Sequence, residues 1–199
     1  MDHKYIVEKT QIESAYGTFD FFCFSWGEHE EDNILCLANL SYNDVPFVRI
    51  QSACYTAEIF RSLDCDCHAQ LHRSQKMIAD KGGILIYMLC DGRGAGLLNK
   101  IKGLEMGRKD GIDTSDAYRK MGLQQDPRDY TRAIEILSYF KLKEINLLTN
   151  NPRKVSDINK AVVVNRVPLE VASTDKSNNY LKTKAEKMGH HLSEFQNPE

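Results

Sequence analysis

The chain has 199 residues, 42% of them hydrophobic and 27% charged, so it can bury a full core as one domain or as two closely merged lobes. Its formal net charge of -2 provides no overall basic field for nucleic acid, although local basic groups remain available to a phosphate. No run approaches the ~18 to 20 apolar residues of a membrane span, and the N-terminus lacks a signal core, so we expect a cytoplasmic protein without membrane contact.

The predicted elements begin as short β-like runs separated by polar turns, which is typical of an antiparallel meander. These runs cover 5–7, 17–24, 33–40 and 46–50. The pattern then changes, because a helical stretch over 69–81 ends at two glycines and precedes the apolar run 84–89. Helices are predicted next from 97 to about 106, from 115, over 129–140 and after 151, and extended segments over 145–148 and 162–171. The order predicts an α/β fold in which antiparallel N-terminal strands run into a βα-alternating, Rossmann-like mixed sheet.

The end of the chain is predicted to differ from the rest. The segment after Lys182 is polar and is expected to be helical, then frayed beyond about residue 190. No repeat or low-complexity linker divides the sequence, so we expect one domain over residues 1–199.

Three of the six cysteines lie close together, at Cys54, Cys65 and Cys67. Without an export signal, thiols and metal ligands are more natural than disulfides. Two cysteines with one residue between them can face one ion, and Cys54 can return to them if residues 55–63 fold as one short helix. Three thiolates and one water form an open tetrahedral zinc site, which is typical of catalytic zinc. The alternatives are ordinary buried or reactive cysteines; His68 is either a fourth ligand or, as we favour, an exposed helix residue.

Two turns join a strand to a helix and carry polar groups. The first, Asp91-Gly-Arg-Gly-Ala-Gly96, places backbone amides and a helix dipole where a phosphate would bind, and Arg93 adds a cation. Glycines at this place can also serve only a tight turn. The second turn, residues 149–154, carries a hydroxyl and two cations and could hold the far end of the same ligand. Its Pro152 has a separate explanation as a helix-start residue.

The chain also contains a series of motifs in a fixed order. They are Cys54…Cys65-Asp-Cys67, Gly-Arg-Gly-Ala-Gly-Leu-Leu-Asn-Lys-Ile at 92–101, Asp113-Thr114, Asp126-Pro-Arg-Asp-Tyr130, Leu-Leu-Thr-Asn-Asn-Pro-Arg-Lys-Val at 147–155 and Thr183-Lys-Ala-Glu-Lys-Met-Gly189. This series, from Gly17 to Gly189, resembles GTP cyclohydrolase II, the enzyme that opens riboflavin synthesis. The resemblance implies a single domain of that family and a homodimer. It also implies hydrolysis of GTP, or a close purine nucleotide, at C8, with one zinc ion per chain and magnesium on the triphosphate. Formate and pyrophosphate leave, and the product is 2,5-diamino-6-(5-phosphoribosylamino)pyrimidin-4-one.

The resemblance further implies roles for individual residues. The family's zinc ligands fall on the three cysteines, its base on Asp126, and its nucleophile toward the α-phosphorus on Arg128. Because a guanidinium holds its proton with a pKa above about 12, Arg128 is expected at least to clamp the α-phosphate. Without the resemblance, Asp126 and the proline after it would be a helix start. Nucleotide contacts carry over onto Arg49, Ile50, Gln51, Ser52, Ala53, Gln70, Asp91, Gly92, Arg93, Thr114, Thr149 and Lys154.

The chain departs from the family pattern near the candidate zinc site. The family's Arg-Val-His-Ser-Glu is Arg49-Ile-Gln-Ser-Ala53 here, which removes an imidazole and a carboxylate, and its Gln-Glu-Gly-Arg is Cys90-Asp-Gly-Arg93. A tyrosine to which the family assigns a catalytic role corresponds to Leu104, whose helical face predicts packing in the core. Tyr87 and Tyr118 belong to other elements, so neither is expected to replace it.

Three activities therefore remain open. The first is the complete reaction. The second is a divergent homologue that stops at the 5-formylamino pyrimidine nucleotide, or that serves a secondary-metabolite pathway other than riboflavin synthesis, because expelling formate is a second hydrolysis with its own proton transfers. The third is a zinc protein that binds nucleotide without turnover, against which the retained Asp126 and Arg128 speak.

Overall fold

The computed structural model describes residues 5–42, 44–174 and 176–195. Within them the strands are β1 (Ile6–Ser14), β2 (Gly17–Ser25), β3 (Asn33–Asn39), β4 (Phe47–Ser52), β5 (Gly83–Met88), β6 (Glu144–Leu148) and β7 (Val163–Val167). The α-helices are α1 (Tyr55–Glu58), α2 (Cys67–Lys81), α3 (Leu97–Asp110), α4 (Thr114–Lys120), α5 (Thr131–Tyr139), α6 (Pro152–Ile158) and α7 (Asn178–Met188). Short 3₁₀ turns cover Glu30–Asp32, Gly92–Gly94 and Ser193–Phe195.

The strands form one mixed sheet in the spatial order β1-β2-β3-β5-β4-β6-β7. β1, β2 and β3 are the predicted antiparallel meander, and β3 pairs antiparallel with β5. The remaining pairs are parallel, since β4 pairs with both β5 and β6, and β6 pairs with β7. The structure therefore confirms the predicted fold class, in which antiparallel strands run into a half where parallel strands alternate with helices.

Two strands differ from the sequence prediction. β4 does not extend the meander, because β5 lies between β3 and β4. Its residues 48–51 are buried whichever face they point to, as is typical of a central parallel strand. β1 continues to Ser14 instead of ending at Val7. Most of its side chains are exposed at this edge of the sheet, so apolar alternation does not mark its length in the sequence.

The helices near the cysteines and after the glycine turn also differ from the prediction. The chain after Cys54 forms only the four-residue α1, and the left-handed Arg61 (φ 60°) lies in the loop that leads on to Cys65. α3 continues past the predicted end near residue 106 to Asp110. It stops where Gly111 adopts a left-handed conformation, a common helix end that a glycine permits.

The C-terminal segment packs on the body of the protein. α7 begins at Asn178, earlier than the predicted start after Lys182. Fraying is predicted beyond residue 190, but the His191 N–H donates to the Asn150 carbonyl oxygen at 2.9 Å and Leu192 is buried. The last predicted residues, 196–199, lie outside the described part of the chain.

Helices cover both faces of the sheet. On one face, α5 and α6 contribute Ile136, Leu137 and Ile158 to the main hydrophobic core. On the opposite face, Ile78 of α2 belongs to a smaller cluster with Leu85. None of the helices in the described residues combines the length and the apolar character that a membrane span requires. Because β4, β5 and β6 are parallel, the segments that follow their carboxyl ends gather at one edge of the sheet.

Candidate active site

A solvent-open cleft of about 1050 Å³ is lined by the segments that follow β4, β5 and β6. The helices α2, α3, α4 and α7 contribute the rest of its wall. Of the residues assigned to the site from sequence, those that line the cleft are Arg49, Gln51, Ser52, Ala53, Cys54, Cys65, Cys67, Gln70, Asp91, Gly92, Arg93, Thr114, Arg128, Thr149 and Lys154. The fold thus brings together groups that are far apart in sequence.

Two assigned residues do not line the cleft. Alternation along β4 turns the side chain of Ile50 into the core, where it is fully buried, and only its carbonyl oxygen faces a site residue, Lys154. Asp126 lies next to Arg128, to which it is bound through both carboxylate oxygens. Because the Ile50 side chain is buried in the core, a contact between that side chain and substrate is incompatible with the structure.

The three cysteine sulfurs form a cluster at one end of the cleft. Their Sγ atoms lie within 4.8 Å of one another, and the Sγ atoms of Cys54 and Cys65 are 3.7 Å apart. Two thiolates on a tetrahedral zinc, each about 2.3 Å from the ion, lie about 3.8 Å apart, so this donor set fits zinc. His68 is not part of the cluster, and its ring centroid lies 3.9 Å from that of His72 on the same helix.

Lys100 places a positive charge beside the cysteine cluster. Its Nζ lies 3.2 Å from the Sγ of Cys54 and 2.8 Å from Oδ1 of Asp91. Hydrogen bonds from Cys65 and Cys67, followed by the charge of Lys100, hold the pKa of the Cys54 thiol well below its ordinary value. A lowered thiol pKa favours the thiolate, the form that binds metal, at Cys54, whereas hydrogen bonds with Cys54 raise the pKa of Cys65 and Cys67.

Asp91 joins the cysteine segment to the glycine turn. Besides Lys100, its carboxylate accepts the backbone N–H of Tyr55 at 2.9 Å and that of Gly92. The carboxylate is 2% exposed, so its partners are all within the protein. Asp91 therefore fixes the position of the turn that carries Arg93.

Beneath the cysteines, Arg49 is held by hydrogen bonds on every side. Its guanidinium donates through Nε and Nη2 to Oε1 of Gln51, through Nη2 to Oε1 of Gln70 and through Nη1 to the carbonyl oxygen of Leu148. Arg49 and Gln51 are buried, at 6% and 2% exposure. Because these donors are already engaged, Arg49 serves the framework of the site.

The same network continues to the backbone of the segment that carries the cysteines. Gln51 donates to Oε1 of Glu58 at 2.7 Å, and Glu58 accepts the N–H of Cys54 at 3.2 Å and the hydroxyl of Tyr87. Burial raises the pKa of Glu58 above its ordinary value. Glu58 therefore supplies a carboxylate at the cysteine segment, where this chain has Ala53 in place of the glutamate of the family pattern.

On the other side, Asp66 lies between the two adjacent cysteines in sequence and links α2 to α7. It accepts from Nε2 of Gln70 at 2.6 Å and from Nζ of Lys184 at 2.7 Å. The Asp66–Lys184 pair is buried, at 4% and 11% side-chain exposure. The network thus connects the segment bearing the cysteines to the C-terminal helix.

Arg128 and Asp126 form a buried, bidentate ion pair at the cleft. Arg128 donates through Nε and Nη2 to the two Asp126 oxygens at 2.7 Å and 2.6 Å. Burial alone would raise the Asp126 pKa, but the hydrogen bond and charge of Arg128 outweigh it and hold the pKa below its ordinary value. Gly94, whose φ of 86° is one that other residues rarely adopt, lies at van der Waals distance from Arg128, since a Cβ there would be 3.5 Å from the Arg128 Cγ. The pair is therefore held against the glycine turn.

The end of the cleft near Arg93 differs from the cysteine end. Arg93 adopts a left-handed conformation (φ 57°), and its guanidinium lies 5.9 Å and 5.8 Å from the ring centroids of Tyr118 and Tyr180. Both of its terminal nitrogens are buried and lack a hydrogen-bond partner among the described residues. Lys154 is 4% exposed, and its Nζ donates to the Ile50 carbonyl oxygen at 2.7 Å. Burial, followed by the charges of Arg49 and Arg128, lowers the Lys154 pKa well below its ordinary value.

The structure corrects the interpretation of Leu104 and Tyr118. Leu104 is 37% exposed and lines the cleft instead of packing in the core. Tyr118 also lines the cleft, and its hydroxyl donates to the Gly92 carbonyl oxygen at 3.1 Å. Its ring packs against α3 at Gly103, where a Cβ would lie 3.2 Å from Cε1. The packing of α4 on α3 thus brings a phenol from another element to the cleft wall, where Tyr118 is 1% exposed.

Lys100, Tyr180, Lys184 and His190 are among the cleft residues that the sequence analysis does not assign to the site. Lys100 lies inside the motif at 92–101 and Lys184 inside the motif that ends at Gly189, so the motifs contain a signal for both. His190 directly follows the last motif. Only the docking of α7 on the sheet edge reveals that these C-terminal residues line the cleft.

Comparisons with known proteins relate nearly the whole chain to one family. The family model described as GTP cyclohydrolase II matches residues 4–168. A GTP cyclohydrolase-2 of Buchnera aphidicola subsp. Acyrthosiphon pisum is 41% identical over 193 residues, which is 95% of this chain and 99% of that protein. The riboflavin biosynthesis protein RibBA of Staphylococcus saprophyticus is 41% identical over 184 residues, which is 92% of this chain. The chain spans about half, 46%, of the length of that relative. On these matches, the chain belongs to the GTP cyclohydrolase II family.

Proposed function

We propose that the chain has GTP cyclohydrolase II activity in riboflavin synthesis. The reaction is hydrolysis of GTP at C8 with release of formate and pyrophosphate, leaving 2,5-diamino-6-(5-phosphoribosylamino)pyrimidin-4-one. The observation that carries the proposal is that three clustered thiols and an arginine held by a buried carboxylate line the same cleft. These groups match the two halves of the chemistry, at the purine ring and at the triphosphate.

At the ring end, Cys54, Cys65 and Cys67 would hold one zinc ion per chain. When bound, zinc is a Lewis acid that activates water for hydrolysis. The chain's own contribution is to keep the thiols together and to compensate their charge. Lys100 compensates the charge, since its Nζ contacts the Cys54 sulfur and also donates to Asp91.

At the triphosphate end, Arg128 would clamp the α-phosphate. Burial lowers the Arg128 pKa, but the hydrogen bond and charge of Asp126 outweigh it and raise the pKa above its ordinary value. The guanidinium therefore keeps its proton, which favours electrostatic stabilisation over covalent attack on phosphorus. Asp126 acts by holding the guanidinium in one orientation.

Magnesium would arrive with the triphosphate. Among the described residues, the three cysteines are the only cluster of three or more His, Cys, Asp or Glu side chains able to share an ion. Magnesium prefers oxygen ligands and is commonly held by substrate phosphates, so the phosphate oxygens would supply its ligands. The homodimer implied by the family resemblance is also part of the proposal, and a solution mass measurement tests it.

A second candidate activity stops at the 5-formylamino pyrimidine nucleotide. The observation in its favour is that Leu104 offers no hydroxyl to the cleft. Tyr118 supports the complete reaction instead, because its hydroxyl lies at the Gly92 carbonyl oxygen in the same cleft. If this phenol assists formate release, Tyr118→Phe should lower formate yield relative to pyrophosphate, and Leu104→Tyr in that background should restore part of it.

One incubation distinguishes the candidate activities. Zinc-loaded protein is mixed with GTP and magnesium, products are identified by mass, and formate and pyrophosphate are assayed separately. One formate and one pyrophosphate per GTP support the complete reaction, whereas a formylated product without formate supports the second candidate. Binding of GTP with neither product would overturn both and leave a nucleotide-binding zinc protein.

A further inference from the structure

His190 lies on the cleft with one ring nitrogen free. Its side chain lines the cleft, and its Nε2 is buried without a hydrogen-bond partner among the described residues. An unsatisfied buried polar atom is costly, and most such atoms in folded proteins are paired. The position of His190 is therefore unfavourable unless a ligand supplies the missing partner.

The backbone fixes His190 from two sides. α7 ends at Gly189, which is left-handed (φ 65°), and the His190 N–H donates to the Lys184 carbonyl oxygen at 3.0 Å. The next residue, His191, donates its N–H to the carbonyl oxygen of Asn150, in the turn between β6 and α6. The imidazole is thus directed at the cleft by main-chain contacts.

The charged groups with the largest effect on the pKa of His190 are cations. Burial, followed by the charges of Lys184, Arg128, Lys154 and Arg93, lowers its pKa to about 2, so the imidazole is neutral. Lys184 and Arg128 are paired with carboxylates. In contrast, the terminal nitrogens of Arg93 have no partner in the segments that the structure describes, and Lys154 donates to a carbonyl oxygen. This end of the cleft therefore carries positive charge that an anion would neutralise.

We propose that His190 is a phosphate-binding residue, whose Nε2–H donates to an oxygen of the polyphosphate chain beside Arg93 and Lys154. The proposal rests on the proposed function and extends its substrate contacts to the C-terminal helix. A purine base would gain little from four neighbouring cations, whereas phosphate oxygens accept charge-assisted hydrogen bonds from each of them. A neutral imidazole adds a donor without adding a fifth positive charge.

The test uses sodium tripolyphosphate, which carries the anion without the base or sugar. Binding to zinc-loaded protein is measured by calorimetry for the unmodified chain, His190→Ala, His190→Gln and the neighbouring control His191→Ala. We expect His190→Ala to weaken binding at least tenfold, as for a lost hydrogen bond to a charged group. His190→Gln, which keeps an N–H donor near the Nε2 position, should recover part of the affinity, and His191→Ala should match the unmodified chain.

Parallel measurements separate this inference from the proposed function and from misfolding. Zinc content should be equal in all four proteins, no variant should melt below the unmodified chain, and guanosine binding should not change with His190. Equal tripolyphosphate affinity in His190→Ala and the unmodified chain would overturn the inference, as would a loss confined to guanosine. If GTP is not converted but tripolyphosphate binding still depends on His190, the inference holds and the proposed reaction fails.

Discussion

The two ends of the cleft are equally rich in buried polar side chains but differ in how those groups are satisfied. Below the cysteines, Arg49 and Gln51 exchange hydrogen bonds with neighbours that are themselves engaged. At the other end, Arg93 and His190 keep buried nitrogens that have no hydrogen-bond partner within the described part of the chain. The first arrangement stabilises the free protein, whereas the second awaits a ligand. A polar residue on a cleft therefore belongs to the framework when its hydrogen-bond donors are already used within the protein. It is a binding group when a donor remains for a ligand.

This difference changes the interpretation of the substrate contacts that the family resemblance implies. Arg49, Gln51 and Gln70 line the cleft, as a position-by-position transfer from the family predicts. Their donors and acceptors are already used within the protein, however, so we expect their loss to affect folding and metal binding before it affects nucleotide affinity. Four predictions test the comparison, from the largest expected effect to the smallest.

Cys65→Ser should have the largest effect, on the metal. Replacing one of three thiolates should remove bound zinc and reduce GTP ring opening by about 10³-fold or more, because both depend on the same donors. Metal content by mass spectrometry and ring opening by absorbance measure the two together. Cys23→Ser, on β2, is the matched control and should retain both. Full activity in zinc-free Cys65→Ser would rule out the zinc site.

Arg128→Ala should abolish pyrophosphate release while zinc remains bound. Removing a group aimed at charge that develops in a transition state typically costs about 10²- to 10³-fold in rate. Pyrophosphate is measured in a coupled assay, with zinc content measured in parallel. Arg132→Ala removes an arginine whose ion pair with Asp32 lies away from the cleft lining, so it is a suitable control. A normal rate of pyrophosphate release in Arg128→Ala would remove both its proposed clamping role and the family's nucleophilic role.

Arg49→Met tests the hydrogen-bonded network below the cysteines and should mainly affect stability. The substitution leaves three buried acceptors, on Gln51, Gln70 and Leu148, without their donor. At about 1 to 3 kcal/mol for each, we expect the free energy of unfolding to fall by about 3 kcal/mol or more. Urea denaturation measures this loss. An unchanged midpoint combined with weaker tripolyphosphate binding would show that Arg49 is a binding group after all.

Lys154→Met tests the part of the cleft with unpaired cations and should have the opposite effect on stability. Its folded-state pKa is lowered, so burial of this lysine costs stability below the folded pKa, and the cost fades as pH rises toward the ordinary value of about 10.5. The variant should therefore melt about 2 °C or more above the unmodified chain at pH 7, and the difference should narrow at higher pH. Tripolyphosphate binding should weaken by about tenfold. A lower melting temperature at pH 7 would contradict this account.

The sequence predicts the parts of the molecule that depend on local patterns. The glycine-closed helix α2, the apolar strand β5 and the Cys-x-Cys ligand pair follow from spacing and periodicity. The position of β4 in the sheet does not follow from such patterns, because the sequence of a buried strand does not indicate which strands it pairs with. Similarly, Glu58 and Tyr118 become visible only when helices and strands pack, since each acts on a segment distant in sequence.

The C-terminal helix extends the domain beyond the residues that the family model matches. The family match ends at residue 168, yet Tyr180, Lys184, Met188 and His190 belong to the cleft wall. A truncation at the end of the match would keep every cysteine and still remove one wall of the cleft and the partner of Asp66. Fusions and shortened variants should therefore preserve the chain through Leu192, whose buried side chain fixes the end of that wall.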